Sequence, residues 1–330
     1  MAKGTEVSKR KTVDDGITMS SRKRAPEASG LLFTDKGLSP IQKRLVNSSH
    51  DILMNDSERI TYQHTIFCQT GLPYRNPGDA LRRWERKQGQ SSLLIHAGEI
   101  INPDTQDFVD VGLPFGPKPR LILTHLNSQA LKTGSPVIEV ESSLTAFVKR
   151  LGLDGNGRDI RSIKDQLSRL SAATIRLGFV AENRAVQVNT QIVKAFDLWF
   201  QKNERQRVLW PSTVQLSDDY FHSLVNHAVP LDERAVGALS HSAMALDVYA
   251  WLAQRLHRIT KEQPQFITWI ALKEQFGYHY DRLDNFKRLF THTLTLVHSQ
   301  YHNARFKVDG QGLTLQHSQP PIRSRSHLLS

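Results

Sequence analysis

The chain has 330 residues, 39% hydrophobic and 23% charged, which is enough apolar material for about two packed domains and too much for wholesale disorder. Forty-three Lys and Arg against 32 Asp and Glu leave a formal charge of +11, so an acidic partner is expected. The lone Cys68 excludes an internal disulfide and a Cys-rich zinc site, and no window nears the ~18 uninterrupted apolar residues of a membrane helix.

Residues 1–30 are polar, carry a net +3 and lack apolar periodicity, and are expected to form a disordered basic arm. Lys3, Lys9, Arg10 and Lys11 precede no apolar run, so no secretory signal is expected and the protein should be cytoplasmic. Residues 31–114 form an N-terminal extension of net charge −1, expected to pack on or near the first module that follows. Within it, the Gly- and Pro-rich run 71–79 must be loop, and Asp79 should cap a short helix holding Leu81 and Trp84. The run 113–119, with three prolines and a glycine, is a second helix-hostile stretch and a natural boundary.

Beyond it one module is written twice. In 115–216 an apolar helix over 120–131 leads to a strand at 137–140 and to a helix capped by Ser142, with Leu144, Phe147, Val148 and Leu151 inward and Gly152 at its end. After the turn 154–157, Ile160, Ile163, Leu167 and Leu170 make a helical stripe. Two strands follow, near 173–181 and 186–197, joined at Glu182-Asn183-Arg184. In 217–320 the order recurs: a long helix over 242–259, apolar around most of its girth, then a strand at 265–268. A short helix with Ile270, Leu272 and Phe276 ends at Gly277, a helix with Leu283, Phe286, Leu289 and Phe290 follows, and a hairpin over 305–315 closes the copy. Residues 321–330 are a basic tail. Helix, strand, helix, turn, helix, hairpin is the winged-helix order. The fold class expected is therefore α+β, tandem winged-helix domains with an N-terminal extension.

The largest excess of charge, +7, lies in 115–216, as a nucleic-acid surface requires. Arg158, Arg161, Lys164, Ser168 and Arg169 avoid the apolar stripe of the third helix, and Arg176 and Arg184 decorate the strands after it. In the second copy the outward set is Arg282, Asn285, Lys287 and Arg288, with Tyr278, His279 and Tyr280 just ahead and Arg305 and Lys307 on the hairpin. Arg suits guanine and Asn suits adenine in the major groove, so the outward sets of both copies, with Arg176, Arg184, Tyr280, Arg305 and Lys307, are the expected DNA-binding residues. Asp165 and Asp284 on the same helices repel phosphate unless a neighbouring Arg pairs with them.

Chemistry is not expected. His298 and His302 have the spacing of helical zinc ligands but lack a third ligand. No two histidines flank a single residue, and no Gly-Lys-Ser/Thr run or Gly-x-Ser-x-Gly elbow exists. Neither a nicking enzyme nor a recombinase finds its nucleophile, and no cofactor is implied. Trp199, Trp210, Trp251 and Trp269 are expected in packing.

Several runs resemble the RepA-type initiators of theta-replicating bacterial plasmids: 71–75 with 77–79, 113–116 with Pro119-Arg120, Gln166-Leu167 to Leu170, 228–232 with Arg234-Ala235, 245–252, Phe276-Gly277 and 312–315. The resemblance implies a double-stranded DNA binder that recognises direct repeats (iterons) in an origin, opens it, and engages the host initiator and replicative helicase. It also implies that the chain can form a homodimer to repress its own gene. A tandem winged-helix transcriptional repressor or partition-type protein is the alternative.

Overall fold

Ser39 opens the first helix, α1 (Pro40–Met54), by accepting from the Gln42 amide while Gln42 reaches back to the Ser39 amide, and Pro40 sits where no amide is needed. The computed structural model describes residues 37–56, 59–102, 105–139, 144–181, 184–195 and 213–322. The basic arm, Ser142, Glu182, Asn183, Trp199, Trp210 and the last eight residues lie outside them, and so does the side chain of Arg184.

After α1 come β1 (Ile60–His64), α2 (Thr65–Gln69), β2 (Arg83–Gln88), β3 (Ser91–His96), β4 (Glu99–Ile101) and β5 (Phe108–Asp110). The helix expected around Leu81 and Trp84 does not form. The Asp79 carboxylate pairs with Arg169 instead of capping, and β2 pairs antiparallel with β3, whose Ser91, Leu93 and Ile95 are buried. The Trp84 indole donates to the Gly71 carbonyl at 2.8 Å.

The first copy contains α3 (Pro117–Thr133), β6 (Val137–Glu139), α4 (Leu144–Arg150), α5 (Gly157–Ala172), β7 (Thr174–Ala181), β8 (Arg184–Gln191), β9 (Val193–Ala195) and β10 (Thr213–Leu216). α3 starts earlier than expected because Pro117 and Pro119 both fall in its first turn, where prolines are tolerated. Gly152 adopts φ +76° just beyond α4, the left-handed value that favours glycine. Asn156 caps α5 by accepting from the Asp159 amide. α6 (Asp218–His227), β11 (Ala228–Asp232) and α7 (Glu233–Leu239) connect to the second copy. That copy comprises α8 (Ala243–Arg255, prolonged by a 3-10 turn), β12 (Gln265–Thr268), α9 (Trp269–Phe276), α10 (Leu283–His298), β13 (Phe306–Val308) and β14 (Gly312–Leu315).

The copies share a sheet order. β6-β10-β9 and β12-β14-β13 are both antiparallel, with the last strand between the other two. The first closing ribbon is therefore β9 and β10, not the β7–β8 hairpin that the sequence suggests. β7 is drawn elsewhere because Ile175 and Leu177 pair with Ile95 and Leu93 of β3. The result is a four-stranded sheet, β2-β3-β7-β8, with these four side chains buried. A further antiparallel pair, β1 with β11, joins the extension to the segment that leads into the second copy, and each strand runs directly into a short helix, α2 or α7.

α8 lies at the centre: Ala243 through Gln254 are all buried, with Tyr249 and Trp251 fully so. Trp269 is buried at the start of α9, which leaves Ile270, expected inward, 63% exposed. Two imidazoles are held neutral inside. Burial, aided by the charge of His227, pushes His64 down to about 3, and burial with Arg150 and Lys132 nearby pushes His125 down to about 4. Both folded values lie below the unfolded one, so the unfolded chain takes up these protons first. Their contribution to stability is whole above about pH 6.5 and falls by about 1.4 kcal/mol per group per pH unit as pH drops towards 4. Urea unfolding at pH 7.5, 6 and 5 should show this loss, with a shallower slope for His64→Gln. An unchanged slope for that variant refutes the assignment.

Candidate nucleic-acid interface

α5 divides along its length. Ile163, Leu167 and Leu170 are buried, while Arg158, Arg161 and Lys164 are exposed and join no ion pair among the described residues. Ser168 and Arg169 do not share that exposed face. Ser168 is buried and its hydroxyl donates to the Lys164 carbonyl at 3.1 Å. The Arg169 guanidinium contacts Asp165 at 2.9 Å and Asp79 at 3.2 Å, donates to the Leu113 carbonyl and lies over the Phe115 ring. Gln166 accepts from the Phe115 amide at 2.8 Å. The far half of α5 is thus a packing surface for the 113–116 run, and the near half carries the free cations.

α10 is built alike. Phe286, Phe290, Leu294 and Val297 face inward, while Arg282, Asn285 and Arg288 are exposed. Arg282 pairs with Asp284 at 3.4 Å, and both are largely in solvent. Each acidic residue that stood against phosphate binding, Asp165 and Asp284, therefore has its own arginine. Lys287 is spent locally: its ammonium donates to the Gly310 carbonyl at 3.3 Å and lies 5.8 Å from the Trp269 ring. It ties α10 to the turn between β13 and β14.

Arg305 precedes β13 and Lys307 lies on it, both exposed. Arg176 is exposed on β7, opposite Asn189 of β8 and Leu94 of β3, and so belongs to the four-stranded sheet. Arg184 begins β8, opposite Ala181. Tyr280 is half-buried against His279 and Phe286, a packing position. Tyr278 turns away from the helix face: its hydroxyl accepts from the Tyr74 amide at 2.6 Å, and its ring contacts Tyr74, Trp84 and Arg86. α10 ends at His298, so His302 is not on the helix. Its ring nitrogen lies 3.2 Å from the Ser49 hydroxyl, and no group of three or more His, Cys, Asp or Glu able to hold a metal occurs among the described residues.

Two ion-pair centres escaped the reading of the sequence. Arg120 of α3 meets Asp247 of α8 through two bonds, at 2.6 and 2.8 Å, with both side chains buried. The same guanidinium donates to the carbonyls of Gly116 and Leu72, each at 2.7 Å. Burial works against its charge, but Asp247 holds it above the usual guanidinium range, and the bidentate geometry is that of an ionised pair. Arg234 joins Asp232 at 2.7 Å and Asp51 of α1 at 3.0 Å, clamping α1 onto α7.

A mixed α/β chain with two like-ordered helix-and-sheet units, each presenting one exposed cationic helix, is the class that this architecture defines. Residues 113–271, which run from the loop before α3 into α9, match the family described as plasmid encoded RepA protein. None of the curated proteins compared matches the chain. Among solved structures, domains 2 and 3 of RctB, as the selenomethionine derivative, align with 8% identity and a TM-score of 0.46, covering 82% of this chain and 99% of that one. A second structure of RctB domains 2-3 aligns with 10% identity and a TM-score of 0.44, covering 74% and 85%. Among the described residues, no helix is long and apolar enough to cross a membrane.

Proposed function

We propose that the chain is a sequence-specific double-stranded DNA binder that initiates plasmid replication by reading direct repeats at an origin with two winged-helix modules, 115–216 and 217–320. The observation that carries this reading is the recurrence of one arrangement. In each copy a three-stranded sheet of the same order accompanies a helix with an apolar inner face and a cationic outer one. A helix of that kind fits the major groove, and the adjoining ribbon reaches a backbone.

In this reading Arg158, Arg161 and Lys164 of α5, and Arg282, Asn285 and Arg288 of α10, make the groove contacts. Arg305 and Lys307 meet phosphates beside α10, and Arg176 meets them from the sheet next to α5. The chain itself performs no chemistry. The family supports the origin role, and contacts to a host initiator and replicative helicase, or self-association, would follow DNA recognition.

Selection of the purified chain on random duplexes, followed by footprinting on the origin of its own plasmid, tests the proposal. The expected product is a directly repeated site of about 20 base pairs, two helical turns long. A palindrome over the promoter of the gene alone would replace the initiator with a repressor, and no selected sequence would refute both. Affinity for the selected site should fall about 100-fold between 50 and 200 mM salt if about four phosphates are neutralised.

A further inference from the structure

The two candidate reading helices are joined by a continuous polar and aromatic linkage made from the Gly- and Pro-rich runs that carry no regular structure. On one side, α5 holds the 113–116 run through Gln166 and Arg169. That run passes straight into α3, where the Gly116 carbonyl accepts from Arg120. Arg120 meets Asp247, and its guanidinium also lies over the Tyr74 ring, 5.1 Å from the centroid. The Gly71–Tyr74 segment is fastened here from several directions. Arg120 binds the Leu72 carbonyl, and the Gly116 amide donates to the Pro73 carbonyl. A side chain at Gly71 would stand only 2.7 Å from an Asp247 oxygen, so the segment can lie this close only because residue 71 is glycine.

From Tyr74 the linkage reaches the turn before α10. The Tyr74 amide donates to the Tyr278 hydroxyl, and the two rings stack at 5.7 Å. Arg86 lies over the Tyr278 ring and donates to the Gln275 carbonyl of α9, which fixes the turn from its other side. Tyr278 belongs to the α9–α10 turn itself, and so does His279, whose ring meets Tyr74 edge-on at 5.4 Å; of the two, Tyr278 alone hydrogen-bonds the Tyr74 backbone.

We infer that Tyr278, acting through Tyr74 and the Arg120–Asp247 pair, is a positioning residue that fixes α10 relative to α5 and so sets the separation of half-sites that the chain accepts. The inference rests on the two-helix DNA reading above. Each base pair added between half-sites moves the second by about 3.4 Å and turns it by about 35°. A rigid joint cannot follow such a step, whereas a loosened one can.

The experiment uses the full chain and duplexes built on the selected site, with zero, one, two or three base pairs inserted or removed between the halves. Wild type should lose about tenfold or more in affinity at the first step. Tyr278→Ala should flatten the profile to about threefold or less while keeping wild-type affinity for an isolated half-site. Tyr278→Phe, which loses only the hydroxyl and keeps the ring, should fall between the two and serves alone if the alanine variant does not fold. Profiles as steep as wild type in both variants, or in Tyr278→Phe alone where only it folds, overturn the inference. A wild-type profile that is itself flat overturns it too. Failure of wild type to select any sequence removes the DNA reading, and this inference with it.

Discussion

Arg120→Ala is expected to lower stability by about 3–5 kcal/mol, the usual cost of stripping one partner from a buried ion pair. The geometry places it at the upper end. The substitution leaves the Asp247 carboxylate without its two bonds, and it also strands the Gly116 and Leu72 carbonyls that the same guanidinium satisfies. Against a total stability of about 5–15 kcal/mol, such a loss brings the chain near unfolding at ordinary temperatures. Arg120→Lys keeps the charge but not the planar fork, so it should recover only part of the loss. Joint replacement, Arg120→Met with Asp247→Leu, removes the uncompensated carboxylate and should cost less than either alanine variant alone. It should not reach wild type, because the two carbonyls still lack donors. Urea midpoints with unchanged slopes provide the measurement. A loss below about 1 kcal/mol for Arg120→Ala would mean that the pair contributes nothing that water cannot replace.

That pair also shows where the chain could be read from its sequence and where it could not. The stripe of α5, Ile163, Leu167 and Leu170, and the closing elements β12, α9 and β14 are written in local periodicity, and they stand where the pattern places them. Arg120 and Asp247 lie 127 positions apart, and no local pattern joins them. A signal existed nonetheless. Asp247 sits in a helix apolar around most of its girth, and a carboxylate there requires a cation from elsewhere. The Trp84 segment failed for a related reason. Its strand character depends on β3, and β3 in turn depends on β7, far along the chain. The β7–β8 hairpin was legible as a hairpin, but its assignment as the first ribbon ran β9 into one long second strand over 186–197 and placed no strand at β10; three- and four-residue strands are too short to leave a pattern. Arg169 lies off the apolar stripe, as any polar residue would, and only its contacts with the 113–116 run and Asp79 decide that it is covered.

The division of α5 into a packed half and a free half makes the DNA-contact prediction selective. Arg161→Ala and Arg288→Ala should each weaken binding to the selected site by about 1–3 kcal/mol, with relaxed preference at one base pair apiece. The two residues belong to different helices, each exposed and without a shared partner, so the losses should add to about 2–6 kcal/mol in the double variant. Neither exposed cation holds another element in place, so urea midpoints should stay within about 0.5 kcal/mol of wild type. Arg169→Ala should behave in the opposite way. It gives up Asp165, Asp79 and the Leu113 carbonyl, so stability falls while preference for each base pair is retained. Competition titrations at fixed salt against single-base-pair variants of the site separate the two classes. If Arg169→Ala changes base preference and Arg161→Ala does not, the reading face lies on the other side of α5.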